Sequence, residues 1–307
     1  MPLALKLLNL KSYDLIISSE SGPSKGISKG KNSIHLCYCH TPMRYIWDQV
    51  DAYLGRGPRR WLSAPLVGAL RQYDRSRSTP DQIDRFVAIS HGVADRIQRH
   101  YGRSASIVFP PVDIQRIQPS GRESENFFLL VGGFVPYKRE EIAIEAFRQR
   151  GEKLVVVGDG PTRRRLQKNA PTNVVFTGRV SDEEVMGLLQ RCRALIYPQE
   201  EDFGIVAVEA QAAGRPVIAF GAGGVLDTVR PLLMVDGEGK CEVYSETSPT
   251  GLYFSEQSAR ALGFALDALV EHAESFESEC IRAHAEAFGS DRFMAELSAE
   301  VARVTEG

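Results

Sequence analysis

Residues 194–220 read ALIYPQEEDFGIVAVEAQAAGRPVIAF. A short apolar run at 194–197 stops at Pro198, an acidic loop follows, a helical stretch covers 204–213, and a second apolar run, PVIAF, occupies 216–220. Strand, helix and strand in so short a span make a βαβ unit, whose two strands must run parallel. The same alternation continues towards the amino terminus. Strands are predicted at 127–132 (FFLLVG), 153–157 (KLVVV) and 174–177 (VVFT), and helices at 138–149, 161–169, 182–192 and 224–230. The strands are continuous apolar runs, the pattern of a parallel sheet covered on both faces. Right-handed crossovers then give an α/β, doubly wound, Rossmann-like domain. Residues 231–251 read as an irregular insertion, and 257–304 as two helices interrupted near Gly289 and Ser290.

The first hundred residues alternate less regularly. Strand signals lie at 13–19, 33–39, 85–89 and 106–109, and helix signals at 43–54, 61–73 and 92–100, the last with Ser90 as N-cap. A stretch rich in Pro, Gln, Ser and Gly from 110 to 126 reads as a linker. The expected layout is an amino-terminal acceptor-side domain over 1–115, a larger domain over 116–290 and a terminal helix over 291–307.

The composition, 43% hydrophobic and 25% charged in 307 residues, excludes a fibrous or wholly disordered chain. The net charge of −2 hides a split. Residues 1–120 carry 17 Lys+Arg against 9 Asp+Glu, and the remainder 20 against 30. A basic half points to a polyanion or a membrane surface. Five cysteines without a C-x-x-C pair do not form a disulfide framework, so a cytoplasmic location is expected. The start, MPLALKLLNLKSYD, lacks the basic lead and small-residue cleavage site of a signal peptide. The basic segment 56–77 (Arg56, Arg59, Arg60, Arg71, Arg75, Arg77, with Trp61 and Tyr73) reads either as a solvated helix or as a peripheral contact with anionic lipid on the inner membrane face. No nucleic-acid motif accompanies the charge.

In an open parallel sheet, ligands bind at the carboxyl ends of the strands. Those ends carry Gly133 to Arg139, Gly158 to Pro161, Gly178 to Val180, Pro198 to Ile205 and Gly221 to Gly224. The G-x-G of Gly158 and Gly160 lacks the third glycine of a dinucleotide fingerprint and reads first as a tight turn. A helix starting near Gly204 offers backbone N–H groups at Phe203, Gly204 and Ile205 to an anion. Lys138 is placed to add positive charge, Glu209 to accept from a ribose diol and Glu201 to accept from sugar hydroxyls. Two glutamates eight apart mean little alone, since 24 Glu in 307 residues give about two such pairs by chance. Both could simply cap or solvate the helix start. Arg163, Arg164 and Arg165 read as a solvated helix face. His35, Cys37, Cys39 and His40 form only a local cluster with no distant second ligand pair, so a metal is not expected.

At EDFGI followed by Glu209 the chain resembles the retaining family 4 glycosyltransferases of the two-domain GT-B fold, whose E-x7-E motif the Glu201/Glu209 pair matches. VPYKREEIAIEAF (135–147) looks like the donor-phosphate loop and helix of that family. VVVGDGP (155–161) and VVFTGRVSDEEV (174–185) look like its next strand regions. CYCHTPMRYIWD (37–48) and FVAISHGVADRI (86–97) resemble the amino-terminal domain of its mannosyltransferase-like subgroup. The resemblance implies transfer of a hexose, mannose first, from a nucleotide diphosphate sugar such as GDP-mannose to a glycan or lipid-linked acceptor. It implies retention of configuration, a role in surface polysaccharide assembly, and no metal or other cofactor. It gives Glu209 the donor ribose, Arg179 and Val180 the base, and Lys138, Arg139 and the N–H groups near Gly204 the diphosphate. Glu201 and His40 then face the transferred sugar as the catalytic pair. Two departures stand out. Gly133 occupies a position where many relatives carry arginine, and the amino-terminal domain is expected to be incomplete, because the chain starts about three strands late. A non-catalytic nucleotide-sugar-binding protein, or an inactive fragment, is the rival expectation.

Overall fold

The structure, a computed structural model, describes residues 8, 10–51, 57–121, 123–244 and 248–306, with backbone alone at 58–60. The chain divides into two compact units: Met1–Pro110 with Asp291–Gly307, and Pro111–Ser290.

The first unit holds a four-stranded, all-parallel sheet in the order β1 (Leu15–Glu20), β2 (Ile34–Cys39), β3 (Arg85–Ala88), β4 (Ala105–Ile107). Helix α1 (Pro58–Ser76) links β2 to β3, and α2 (His91–Tyr101) links β3 to β4. The Ser90 hydroxyl caps α2 by accepting from Val93 N–H at 3.1 Å, as its sequence position led us to expect. A buried ionic cluster ties these elements together. Lys25 Nζ lies 3.1 Å from Glu20 Oε1 and 2.8 Å from Asp74 Oδ1, with side chains no more than 1% exposed. Tyr101 OH donates to Asp74 Oδ2 at 2.7 Å, and Trp47 Nε1–H donates to the same oxygen at 2.8 Å.

The expected helix over 43–54 does not form over 43–49. Ile46 and Trp47 N–H both reach Met43 C=O, and Asp48 and Gln49 N–H both reach Arg44 C=O. The Ile46 and Trp47 carbonyls, which a continuing helix would need, instead accept from the Arg71 guanidinium. Residues 52–54 and Arg56 lie outside the described residues.

The second unit is built on eight strands in the order β11-β10-β12-β9-β8-β5-β6-β7. These are β5 (Phe127–Val131), β6 (Lys153–Val157), β7 (Val174–Gly178), β8 (Leu195–Tyr197), β9 (Val217–Phe220), β10 (Pro231–Val235), β11 (Cys241–Val243) and β12 (Gly251–Phe254). All pairs are parallel except β10 with β11. The helices are α3 (Glu140–Arg148), α4 (Arg163–Lys168), α5 (Asp182–Arg191), α6 (Ile205–Ala212), α7 (Val225–Thr228), α8 (Ala259–Glu271) and α9 (Ser278–Glu286). The apolar strand runs form the core with α3 and α8, where the Phe128 and Phe147 rings meet edge to face at 5.3 Å.

Two expectations need correction here. Residues 231–251 are no irregular insertion: Pro231–Val235 alternates buried and half-buried side chains and extends the sheet. The tail holds three helices, because the chain also breaks at 272–277, where Phe276 turns in against the core. The last helix, α10 (Ser290–Thr305), belongs to the first unit. There Glu300 accepts from Arg85 and from Ser106 Oγ, the latter at 2.7 Å, and Phe293 packs on Tyr38 with ring centroids 5.6 Å apart.

Candidate functional site

Read from β7, the second sheet runs β7-β6-β5-β8-β9-β12, so the strand order reverses between β5 and β8. A crevice opens at such a reversal, outside the carboxyl ends of the strands. Into it feed the loop after β5, with Lys138, and the loop after β8, with Glu201. These two side chains meet: Lys138 Nζ is 2.8 Å from Glu201 Oε1.

Each is fixed by its surroundings. Lys138 closes a short 3-10 turn (Pro136–Lys138) and its ammonium lies over the Gly132 backbone, where a Cβ would come within 3.5 Å of Nζ. Glu201 accepts through Oε2 from the buried Tyr197 hydroxyl. Burial and then the Glu201 carboxylate hold that phenol well above its ordinary pKa, so it remains a donor. The Glu201 carbonyl accepts from Gly224 N–H at 2.7 Å, pinning the loop after β8 to the loop after β9. A Cβ at Gly223 would stand 2.4 Å from the Glu201 carbonyl oxygen, and one at Gly224 2.2 Å from Phe203 Cα. Only glycine permits that approach. Gly204 opens α6 at φ +94°, a backbone region open chiefly to glycine. The Ala207 and Val208 N–H groups reach the Gly204 carbonyl, so the anion-attracting end of α6 rests on the N–H groups ahead of them, at Ile205 and Val206.

Glu209 sits one turn further along α6 and does not join the Lys138–Glu201 pair. It lines a separate cavity of about 270 Å³ with Arg116, Val131, Asp182, Val185 and Met186. Val131 ends β5, so this cavity opens beside the loop that carries Lys138. Burial raises the Glu209 pKa above the ordinary carboxylate range; Asp182 adds to the shift and Arg116 opposes it. The same cavity wall holds two further carboxylates, Asp113 and Asp182, one guanidinium, Arg116, and the apolar side chains of Ile117, Val185 and Leu189.

The remaining candidates scatter. Arg139 adopts the left-handed conformation at φ +57° and pairs at 3.7 Å with its neighbour Glu141. Phe203 is buried against Phe288, ring centroids 5.8 Å apart, so only its backbone serves the crevice. Ile205 is half-exposed. Arg179 is exposed and Val180 half-buried just past the end of β7. His40 lies in the first unit at the end of β2, exposed, with Nε2 2.8 Å from Ser19 Oγ. Gly133 leaves open space, the nearest atom to a Cβ being Asp159 O at 3.9 Å. Arg163 departs from the solvated-face reading: its guanidinium lies over Gly178 at the end of β7 and reaches Asp159 at 3.6 Å. Nothing in the triple-arginine sequence distinguishes Arg163 from its neighbours. Its position at the start of α4 does.

Residues 112–283, more than half of the chain, match the family model described as Glycosyl transferases group 1. The chain belongs to that family. Among group 1 relatives it is 39% identical over 102 residues to the O-antigen chain mannosyltransferase C of Escherichia coli, covering 31% of this chain and 28% of that protein. It is 40% identical over 126 residues to a GDP-mannose-dependent alpha-mannosyltransferase of Mycolicibacterium smegmatis, covering 39% and 32% respectively. The matched segments thus span about a third of these relatives' length. The sucrose-phosphate synthase of Thermosynechococcus elongatus superposes with a TM-score of 0.75 at 19% identity, over 96% of this chain and 74% of that one. The group 1 chain therefore has the α/β GT-B fold. No helix among the described residues is long and apolar enough to cross a membrane.

Proposed function

We propose that the chain transfers a hexose, mannose from GDP-mannose in the first instance, to a glycan or lipid-linked acceptor with retention of configuration. The observation that carries this reading is the Lys138–Glu201 ion pair at the strand-order reversal, beside the first turn of α6. A diphosphate entering there meets the Lys138 ammonium and the helix N–H groups, and takes up a donor that Glu201 now occupies. Glu201, still held by Tyr197, then turns an acceptor oxygen to the sugar hydroxyls. In transfer, the acceptor oxygen bonds to the anomeric carbon as the bond from that carbon to the phosphate oxygen breaks. The electron pair passes to the diphosphate, which takes the acceptor's proton. Charge grows on the leaving diphosphate, and Lys138 with the first-turn N–H groups stabilises it without a metal. Glu209 accepts from the ribose diol, and Arg179 and Val180 flank the base. His40 is given its place in the reaction by the resemblance of its segment. The mannose assignment is supported by the names of the two curated relatives.

Calorimetric titration with GDP-mannose, paired with an assay of transfer to a lipid-linked mannosyl acceptor, tests the reading. Glu201→Ala should leave GDP binding near that of the wild type and lower turnover at least roughly a hundredfold. Glu209→Ala should weaken GDP-mannose binding by roughly 10- to 100-fold through loss of charge-assisted hydrogen bonds. Wild-type behaviour in both variants overturns the site. GDP binding without transfer to any acceptor supports a non-catalytic sugar-nucleotide binder instead. Affinity should also fall on acidification, beginning above the ordinary carboxylate range because the Glu209 pKa is raised, and Glu209→Gln should remove that limb. We further propose a peripheral contact between the basic 56–77 segment and anionic lipid.

A further inference from the structure

The first unit holds a polar cavity of about 520 Å³ at the amino ends of β2 and β3. His40 lies at the opposite end of β2, a six-residue strand roughly 20 Å long, so the cavity shares no residue with the site proposed for transfer. One wall is the loop before β2, with Lys29 and Lys31; the other is the turn before β3, with Arg77, Asp81, Gln82 and Asp84. Pro80 is the only apolar side chain in either wall, so an apolar ligand gains little there.

Both walls are tied to β2 or its approach. His35 N–H donates to Asp84 Oδ2 at 2.7 Å, and its ring Nδ1–H to the Gln82 carbonyl at 2.8 Å. Gly30 N–H donates to Ser33 Oγ at 3.0 Å, and a Cβ at Gly30 would stand 2.6 Å from the Lys11 carbonyl oxygen. The loop that carries the two lysines is therefore closely packed, and a ligand does not have to order it.

The charges in the walls do not cancel. Lys29 pairs with Asp84, which also takes the His35 N–H, and these two neutralise each other. Lys31 is exposed and pairs with no carboxylate among the described residues. Arg77 lies over the Tyr73 ring, 5.6 Å from its centroid, and gives one N–H to Gln82 Oε1 in a long bond of 3.3 Å. Its buried Nε donates to nothing among the described residues, and neither does the Gln82 amide nitrogen. Buried donors are ordinarily paired, so the cavity is short of acceptors. Two cations left over match a phosphomonoester, which carries about −1.5 to −2 charges at neutral pH, and a guanidinium fork fits its oxygens. Asp81, exposed and without a cationic partner among the described residues, opposes a bare anion but accepts from hydroxyls. A divalent cation fits poorly. Three cationic side chains face the space, and the described residues hold no group of three His, Cys, Asp or Glu able to take a metal.

We propose that this cavity binds a small phosphorylated sugar, its phosphate between Lys31 and Arg77 and its hydroxyls on Asp81 and Gln82.

The test is calorimetric titration of the full chain with mannose 6-phosphate, inorganic phosphate, glucuronate and mannose, each with and without GDP-mannose. Mannose 6-phosphate should bind at one site per chain, roughly tenfold or more tighter than the other three, and GDP-mannose should not displace it. Lys31→Gln and Arg77→Gln should each weaken it roughly tenfold or more. Arg77→Lys, which keeps the charge and loses the fork, should weaken it less. Lys31→Gln should keep the wild-type thermal stability, and so decides the case if Arg77→Gln fails to fold. Glu209→Ala should bind as the wild type does. Absence of binding, binding undiminished in Lys31→Gln, or displacement by GDP-mannose each overturns the proposal. Inorganic phosphate binding as tightly as the ester overturns the sugar assignment, and glucuronate binding more tightly overturns the phosphate. None of these outcomes depends on sugar transfer, so the proposed function stands or falls separately.

Discussion

At the scale of single residues, Glu140 beneath the Lys138 loop is a buried carboxylic acid with a measurable consequence. Its side chain heads α3, is 1% exposed, and neither oxygen receives a well-aligned hydrogen bond among the described residues. Burial pushes its pKa up to about 7. A carboxyl whose folded pKa lies above its unfolded one binds more protons in the native state, so its contribution to stability is lost as pH rises from about 4.5 to about 7. Glu140→Gln should therefore raise stability at pH 8 by an amount on the order of 2 kcal/mol and change little at pH 5. Thermal denaturation of both chains at the two pH values measures this; an equal shift at both would show that ionisation is not the cause. Sequence alone could not flag Glu140, because it reads as an ordinary first-turn acid beside Glu141. Lys138 and Glu201 were legible as separate strand-end residues with complementary charge. Their contact was not, because the strand order decides which loops adjoin. Tyr197, which holds Glu201, reads only as the last residue of an apolar strand.

At the scale of elements, the long strands and the glycine-rich turns were legible for opposite reasons. Continuous apolar runs such as 154–157, bounded by turn residues, read as buried strand, whereas β10 opens on a proline and β12 directly follows the Ser-Pro-Thr turn at 248–250, so neither stands out although both are longer than β8. The glycines marked where backbones approach, and the structure shows which backbones. Gly224 has an ordinary helical φ of −67°, so a side chain there fails by contact alone, against Phe203 Cα. Gly224→Ala should displace the loop that opens α6, weakening GDP-mannose binding by roughly tenfold and lowering stability by about 1–3 kcal/mol. Gly187, inside α5 with open space around it, is the matched control. Gly187→Ala should stabilise the chain by about 0.5–1 kcal/mol and leave binding unchanged. Paired calorimetric and thermal measurements check both; equal behaviour of the two variants would remove steric approach as the reason for glycine at 224.

At the scale of the whole molecule, each unit carries its own interior, and the two interiors differ in kind. The second is a continuous apolar core between sheet and helices. The first depends in part on Lys25, Glu20 and Asp74, two carboxylates and one ammonium withdrawn from water. Such a cluster is destabilising to break, because the group left behind stays buried and unpaired. Lys25→Met leaves two carboxylates facing each other and should cost about 3–5 kcal/mol. Every contact of Lys25 described above lies in the first unit, and so do both tryptophans of the chain, Trp47 and Trp61. Intrinsic tryptophan emission is therefore a reporter of that unit alone, while under the proposed function protection by added GDP reports the second. In the Lys25→Met chain the fluorescence-detected transition should fall by roughly 10 °C. The GDP-protected transition, followed by calorimetry, should stay in place, because the Lys25 partners Glu20, Asp74 and Tyr101 all belong to the first unit. A common downward shift of both transitions would mean that the units unfold as one, and that the charge split between the halves of the sequence does not mark separate cooperative bodies.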